Sequence, residues 1–350
     1  MAPTPRRSLL FALAIVPLAF FAVLGGTNVV ALDGDDTAAA AEVWGGSDPL
    51  ATDTDRDGLD DGAEYAAGSD PTVADTDGDG VNDAAEVRIG TDPASADTDG
   101  DGLDDAFEIG GPTSPTDADP DDDGLDDARE LGLGTDPFLA DTDGDRLPDG
   151  AEVDGVTRTG VELPNADPLR MTLYVRVDHA AGADGIDPAT ADRLEAHFAS
   201  MPIENPDGST GIDLHVRRGG PLDGVDPYTG ENFDALEAAS ERARGDRRAV
   251  DHGILIVPFE HDVASVGYGR TPGQFLIVDA GASTADRESI AVHELLHNVL
   301  GDLDDSPGRC GEDPAHFCDG GWLSPSLGDG FERSLPEPVA EEIERRGFEN

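Results

Sequence analysis

His293, Glu294 and His297 fall within five consecutive residues of the segment Val292-His293-Glu294-Leu295-Leu296-His297. On a helix, side chains four apart project from one face, so His293 and His297 can reach one tetrahedral zinc ion. Glu294, beside the first histidine, is placed to take a proton from a water on that metal as it attacks a peptide carbonyl. The chemistry this spacing predicts is metal-assisted hydrolysis, with Glu294 as base and not as ligand. The alternative, two unrelated surface histidines, fits less well. The motif lies on an amphipathic stretch that directly follows an apolar, strand-like run.

A second set of oxygen donors recurs every 22 residues. The first loop runs Asp53, Asp55, Asp57, Gly58, Asp61, Glu64, and the second Asp75, Asp77, Asp79, Gly80, Asp83, Glu86. The third is Asp97, Asp99, Asp101, Gly102, Asp105, Glu108, and the fourth Asp119, Asp121, Asp123, Gly124, Asp127, Glu130. Calcium takes six to eight hard oxygen ligands, and carboxylates at loop positions 1, 3, 5 and 12 supply most of them, with glycine at position 6 permitting the sharp turn. Several calcium ions are therefore expected. A fifth loop, Asp141, Asp143, Asp145, Asp149, Glu152, carries Arg146 in place of the glycine. A side chain resists that turn and its charge opposes a cation, so this site is expected to be the weakest, or empty.

Only ten residues separate each position-12 Glu from the next position-1 Asp, too few for the two flanking helices of an EF-hand pair. Asp48-Pro49, Asp70-Pro71, Asp92-Pro93, Ser114-Pro115 and Asp136-Pro137 keep the same period and turn the chain into each new loop. The pattern resembles thrombospondin type 3 repeats over residues 46–155. That resemblance implies a calcium-wrapped, elongated array with little apolar core. The competing reading is a solvated acidic low-complexity linker.

The elements that must position the histidines begin after residue 160, where the Asp-Gly period ends. Residues 171–177 (MTLYVRV), 212–216, 254–259 and 274–278 read as strands from their β-branched and aromatic content. Asp187-Pro188 reads as an N-cap with proline at N1, opening a helix with Leu194, Phe198 and Met201 on one face. Residues 233–244 predict a second helix, with Phe233, Leu236 and Ala243 inward, and residues 284–300 a third, ending at Gly301. Residues 337–346 read as a last helix. The expected fold is multidomain: the loop array, then an α+β domain over 165–350 with a mixed sheet and an active-site helix.

The order strand, helix, strand, helix, strand, strand, active-site helix, together with the histidine motif, resembles the N-terminal subdomain of the metzincin metallopeptidases. In that family the motif continues to a glycine and then, three residues on, to a third ligand. Here Gly301 comes one residue late, and keeping the three-residue step makes Asp304 the third zinc ligand that the resemblance implies. Asp302, Asp305 and His316 remain alternatives. The family's methionine turn corresponds to the segment around Trp322, which reads equally as a plain core residue. Cys310 and Cys318 are the only cysteines, with seven residues between them. In an exported chain a disulfide is the default for such a pair, with a Cys–His zinc site as the alternative. His179, His197, His215, His252 and His261 read as strand-end, surface or packing residues, and Tyr268 lies in a Gly-rich turn. Residues 267–273 are expected to form a loop lining a substrate cleft.

Composition bounds the setting. Acidic residues number 76 against 22 basic ones, giving a net charge of −54, and every basic residue is Arg. Such a chain repels nucleic acid and anionic membranes, which excludes a nucleic-acid partner. The acidic, lysine-free composition resembles proteins of salt-loving archaea, in which salt screens the self-repulsion. Arg6-Arg7 followed by the uncharged residues 8–32 reads as a secretory signal over 1–32, cleaved after Ala31, or as a membrane anchor if retained. The sequence thus predicts an exported, calcium-stiffened zinc endopeptidase acting on protein or peptide substrates, at the cell surface or outside it. The alternative is a non-catalytic calcium-dependent adhesion protein with a degenerate peptidase-like domain. Oligomeric state is left open.

Overall fold

The structure is a computed structural model, and it describes residues 34, 45–260, 267–269, 273–300, 309–310, 313–317 and 337–348. The expected signal segment 1–32 lies outside the described residues, as do His261, Gly301, Asp302, Asp304, Asp305, Cys318 and Trp322. No helix among the described residues is long and apolar enough to cross a membrane.

The chain divides into two compact units, Met1–Ala96 and Asp97–Asn350. The division falls inside the array. The first two loops form one unit, and the last three group with the domain that follows them.

Each repeat contributes one loop and one short helix: α1 Asp61–Ala67, α2 Asp83–Ile89, α3 Asp105–Glu108, α4 Asp127–Leu133 and α5 Asp149–Asp154. The residue before each helix is extended, as an N-cap must be, and the Asn82 and Asp126 side chains accept the amides of Ala85 and Arg129. Gly68, Gly90, Gly134 and Gly155 end four of the helices in the left-handed conformation.

In the first three repeats the position-9 carboxylate closes the loop. Asp61 accepts the Thr54 amide at 2.7 Å and its hydroxyl at 2.7 Å. Asp83 does the same for Thr76, and Asp105 for Thr98. The position-5 carboxylate reaches forward to the next repeat. Asp57 Oδ2 accepts from Ala84 N at 2.7 Å, Asp101 Oδ2 from Ala128 N at 3.0 Å, and Asp123 Oδ2 from Gly150 N at 2.7 Å.

The α/β domain is built on a five-stranded sheet: β1 Thr172–Ala180, β2 Asp213–Leu222, β3 His252–Val257, β4 Gly267–Gly269 and β5 Phe275–Asp279, in the order β2-β1-β3-β5-β4. All neighbours pair in parallel except β4, which runs antiparallel to β5 at the edge. Helices α6 Pro188–Ala199 and α7 Phe233–Arg244 make the crossovers, and α8 Thr284–Leu300 follows β5.

Side chains alternate across each strand. Ile254, Ile256, Leu276 and Val278 pack with α6 and α8 on one face, while Leu255, Val257, Phe275 and Ile277 meet Phe233 and Leu236 of α7 on the other. Covering both faces explains why residues 254–257 form an unbroken apolar run. The result is a three-layer α/β domain with a mixed sheet, where an α+β arrangement was expected. Helix α9 Glu337–Arg346 adds Ala340 and Ile343 to the first core, and Phe348 joins them. A small hairpin, β6 Arg309–Cys310 with β7 Asp313–Phe317, was not expected from the sequence.

Candidate metal centre

The histidine motif lies on the inner part of α8. Ser283 precedes that helix, accepts the Asp286 amide at 3.2 Å and donates its hydroxyl to the Asp286 carboxylate at 2.6 Å. This reciprocal cap fixes where the helix starts. Arg193 on α6 pairs with Glu288 through two of its nitrogens, tying the two helices together. Ile290, Val292, Leu295, Leu296 and Val299 are all buried, so α8 is held on nearly every side and has little freedom to rotate.

That immobility sets the histidine geometry. His293 and His297 are both buried, their rings lie edge to face with centroids 4.7 Å apart, and their Nε2 atoms are 3.2 Å apart. Two ligands about 2.0–2.1 Å from a tetrahedral zinc stand about 3.3 Å from each other. The observed separation therefore fits one edge of such a coordination sphere. The donor set of two imidazoles also suits zinc.

Glu294 lies between them on the helix and is half-buried. Burial raises its carboxyl to about 7, and a hydrogen bond from the Gly269 backbone pulls it partly back. A Cβ on Gly269 would sit 3.2 Å from Glu294 Oε2, and one on Gly267 would sit 2.2 Å from Ile290 Cγ2. Glycine at both places is what lets β4 come down onto the helix and hold the carboxylate. The sequence reading expected a loop lining a cleft at 267–273. Part of that stretch is instead the sheet's edge strand, and the hydrogen bond from Gly269 was missed because nothing in a three-residue Gly-Tyr-Gly run signals pairing.

Two other described histidines have surroundings of their own. His215 on β2 stacks on Tyr174 at 5.1 Å. His252 is fully enclosed at the start of β3, and burial lowers its pKa to about 3, so it is neutral. Among the expected third ligands, His316 falls on β7, and the three aspartates lie outside the described residues.

The loops gather carboxylates closely. Asp53, Asp55 and Asp57 offer oxygens within 4.8 Å of one another, as do the matching triads Asp75, Asp77, Asp79, then Asp97, Asp99, Asp101, and Asp119, Asp121, Asp123. Asp101, Glu108 and Asp127 form a further such cluster across two successive repeats. Glu64 is fully buried, and neither of its oxygens has a hydrogen-bond partner among the described residues. A buried carboxylate left so is costly unless a cation meets it. Spacings of this size suit oxygens that share a calcium ion at 2.3–2.6 Å.

In the fifth loop Arg146 adopts the turn that its side chain was expected to resist. Arg146 takes the left-handed conformation, φ 75°, and its amide reaches Asp141 Oδ2 at 2.7 Å. Gly58, Gly80, Gly102 and Gly124 make the same bond in their own loops at 3.1–3.2 Å. The side chain does not prevent the turn, and its Nε donates to the Phe348 carbonyl at 3.1 Å.

Burial, reinforced by neighbouring carboxylates, raises Glu64 and Glu130 to about 8 and Glu108 to about 7. A folded-state pKa above the unfolded value means that the ion-free fold binds extra protons. Its stability is fully present below about pH 4 and is lost as pH rises through these values. In chelator, the array is therefore expected to melt at a higher temperature at pH 5 than at pH 8.5. Saturating calcium is expected to reverse that order. Melting curves at both pH values test this, and a pH-independent ion-free transition would count against buried, uncompensated carboxylates.

Residues 53–74, 75–96, 97–109 and 119–140 match the model of the bacterial TSP3 repeat; the fifth loop lies outside the matched residues. No curated protein matches the chain. Among solved structures, the archaemetzincin of Methanopyrus kandleri is similar at 16% identity and TM-score 0.33, over 51% of this chain and 95% of that one. Mature mirolysin of Tannerella forsythia, in complex with a cleaved peptide, is similar at 11% identity and TM-score 0.29, over 50% of this chain and 90% of that one. A chain in a chaperone–substrate complex is similar at 12% identity and TM-score 0.30, over 51% of this chain, which spans about a third of it, 34%.

Proposed function

We propose that the α/β domain is a zinc-dependent endopeptidase, carried on an exported chain whose N-terminal repeats bind calcium. What supports the peptidase reading is one observation above all. Two imidazole nitrogens stand 3.2 Å apart on an immobilised helix, with a carboxyl raised to about 7 beside them. His293 and His297 would hold the ion, with Asp304 as third ligand. Bound there, zinc would supply the polarisation of a water and a peptide carbonyl at neutral pH.

Glu294 would accept the water's proton and deliver it to the leaving amine. Burial lifts the Glu294 carboxyl in the metal-free site, the direction that helps a group give a proton up as well as take it. The Gly269 hydrogen bond keeps the carboxylate aimed while it changes charge. β4 closes the sheet at the edge beside Glu294, and an extended peptide substrate would add there as a further strand. A disulfide between Cys310 and Cys318, and export directed by residues 1–32, belong to the same reading.

Replacing His293 and His297 together by alanine is expected to remove bound zinc completely, from one ion per chain to none. Metal analysis of the purified double variant, with circular dichroism to verify folding, tests the site. Stoichiometric zinc retained in that variant would place the metal elsewhere.

A further inference from the structure

The fifth loop differs from the others in where it sits. Asp143 and Asp145 are 4% and 5% exposed, whereas Asp55 and Asp57 of the first loop are half-buried; Glu152, like Glu64, is enclosed. Neither oxygen of Glu152 has a hydrogen-bond partner among the described residues. Asp141, Asp143, Asp145 and Asp149 all lie close enough to act on it electrostatically. A carboxylate so enclosed, among four others, points to a cation.

Two segments of the α/β domain are seated on the same loop. Asp145 Oδ2 accepts the amide of Thr172, the first residue of β1, at 2.6 Å. In earlier repeats this bond goes to Ala84, Ala128 and Gly150, and Thr172 lies 22 residues beyond Gly150, in register with the array. The domain's strand thus stands where a sixth repeat's helix would be.

The C-terminal segment is the second. Phe348 donates its amide to the Gly144 carbonyl at 2.6 Å and accepts from Arg146 Nε. Gly144 and Gly347 pack backbone to backbone: a Cβ on Gly144 would lie 2.7 Å from Gly347 Cα. Phe348 itself reaches the main core, alongside Ile343 of α9.

We infer that the fifth loop is a calcium site, held by Asp141, Asp143, Asp145 and Glu152, that clamps the start of β1 and the C-terminal segment together. Occupancy of this loop fixes the backbone that both segments bond to. Calcium thereby stabilises the peptidase-like domain as well as the repeats. Arg146 serves the clamp by tying the loop to Phe348. Replacing it by glycine relaxes the turn but removes the Nε bond to Phe348, so Arg146→Gly loosens the joint on that side. The inference rests on reading the loops as calcium sites, and its test separates the two.

The test is amide hydrogen exchange on the full chain at fixed ionic strength, in free calcium and in chelator. A ligand at 100 times its Kd slows exchange through opening by about 100-fold. Thr172 and Phe348 are expected to exchange about 100-fold faster in chelator, as are Ala84 and Ala128 in the earlier repeats. Acceleration of Ala84 and Ala128 with no change at Thr172 and Phe348 overturns the clamp and leaves the calcium reading of the array standing. No change at any of the four overturns both.

Variants give a second arm. Glu152→Gln is expected to bind one calcium fewer and to lose the protection of Thr172 and Phe348. Glu64→Gln, in the first loop, is expected to lose one ion and keep that protection. Unchanged calcium stoichiometry in a folded Glu152→Gln chain overturns the site.

Discussion

Glu294→Ala is expected to lower peptide hydrolysis by about 10²–10⁴-fold or more, the range for loss of a positioned general base, while leaving one zinc per chain. The separation follows from geometry. The two histidines meet at their Nε2 atoms, while the Glu294 carboxylate is held by the Gly269 backbone of the edge strand. Removing it takes away the proton acceptor and no metal-binding atom. Glu294→Gln keeps the shape and the hydrogen bond from Gly269 but cannot take a proton, so it is expected to be nearly as inactive. Cleavage of a mixed peptide library in high salt with calcium and zinc, alongside metal analysis, measures both quantities. Equal activity in the wild type and Glu294→Ala would take the base role away from Glu294, and no activity in either across varied substrates would move the assignment to a metal- or partner-binding domain without turnover.

The sequence showed most clearly what depends on local pattern. Helices α7, α8 and α9 occupy the residues expected of them, because caps, proline placement and a 3.6-residue apolar period are all short-range signals. The pair His293 and His297 was legible for the same reason. What remained hidden depends on distant chain. Arg146 was read as an obstacle to its loop, and the group that its side chain bonds, Phe348, lies 202 residues away. β4 exists only by pairing with β5 and lying on α8, and its three residues carry no alternation of their own. The position-9 aspartates were expected simply as calcium ligands, while Asp61, Asp83 and Asp105 each bind a threonine at position 2. Thr54, Thr76, Thr98 and Thr142 recur at that place in the sequence, so this partnership had a signal that could have been used.

Removing calcium is expected to expose residues 46–96 to protease cleavage at least about 100-fold faster, the factor set by losing a ligand held at 100 times its Kd. The reason is what that unit buries. Its enclosed side chains include Ser47, Asp61, Glu64, Ser69, Asp83, Glu86 and Thr91, and among its described residues no large apolar side chain is buried. Leu50, Val73, Val87 and Ile89 are exposed. Hydrophobic burial therefore contributes little, and the ions must offset both chain entropy and repulsion among carboxylates. Each occupied loop at 100 times Kd contributes about 2.7 kcal/mol. Two loops give about 5 kcal/mol, as large as the whole stability of a marginal domain. Salt screens the repulsion, so the comparison between calcium and chelator must be made at one ionic strength, with cleavage sites mapped on the full chain. Equal cleavage rates within 46–96 in the two conditions would mean that this unit holds its structure without calcium.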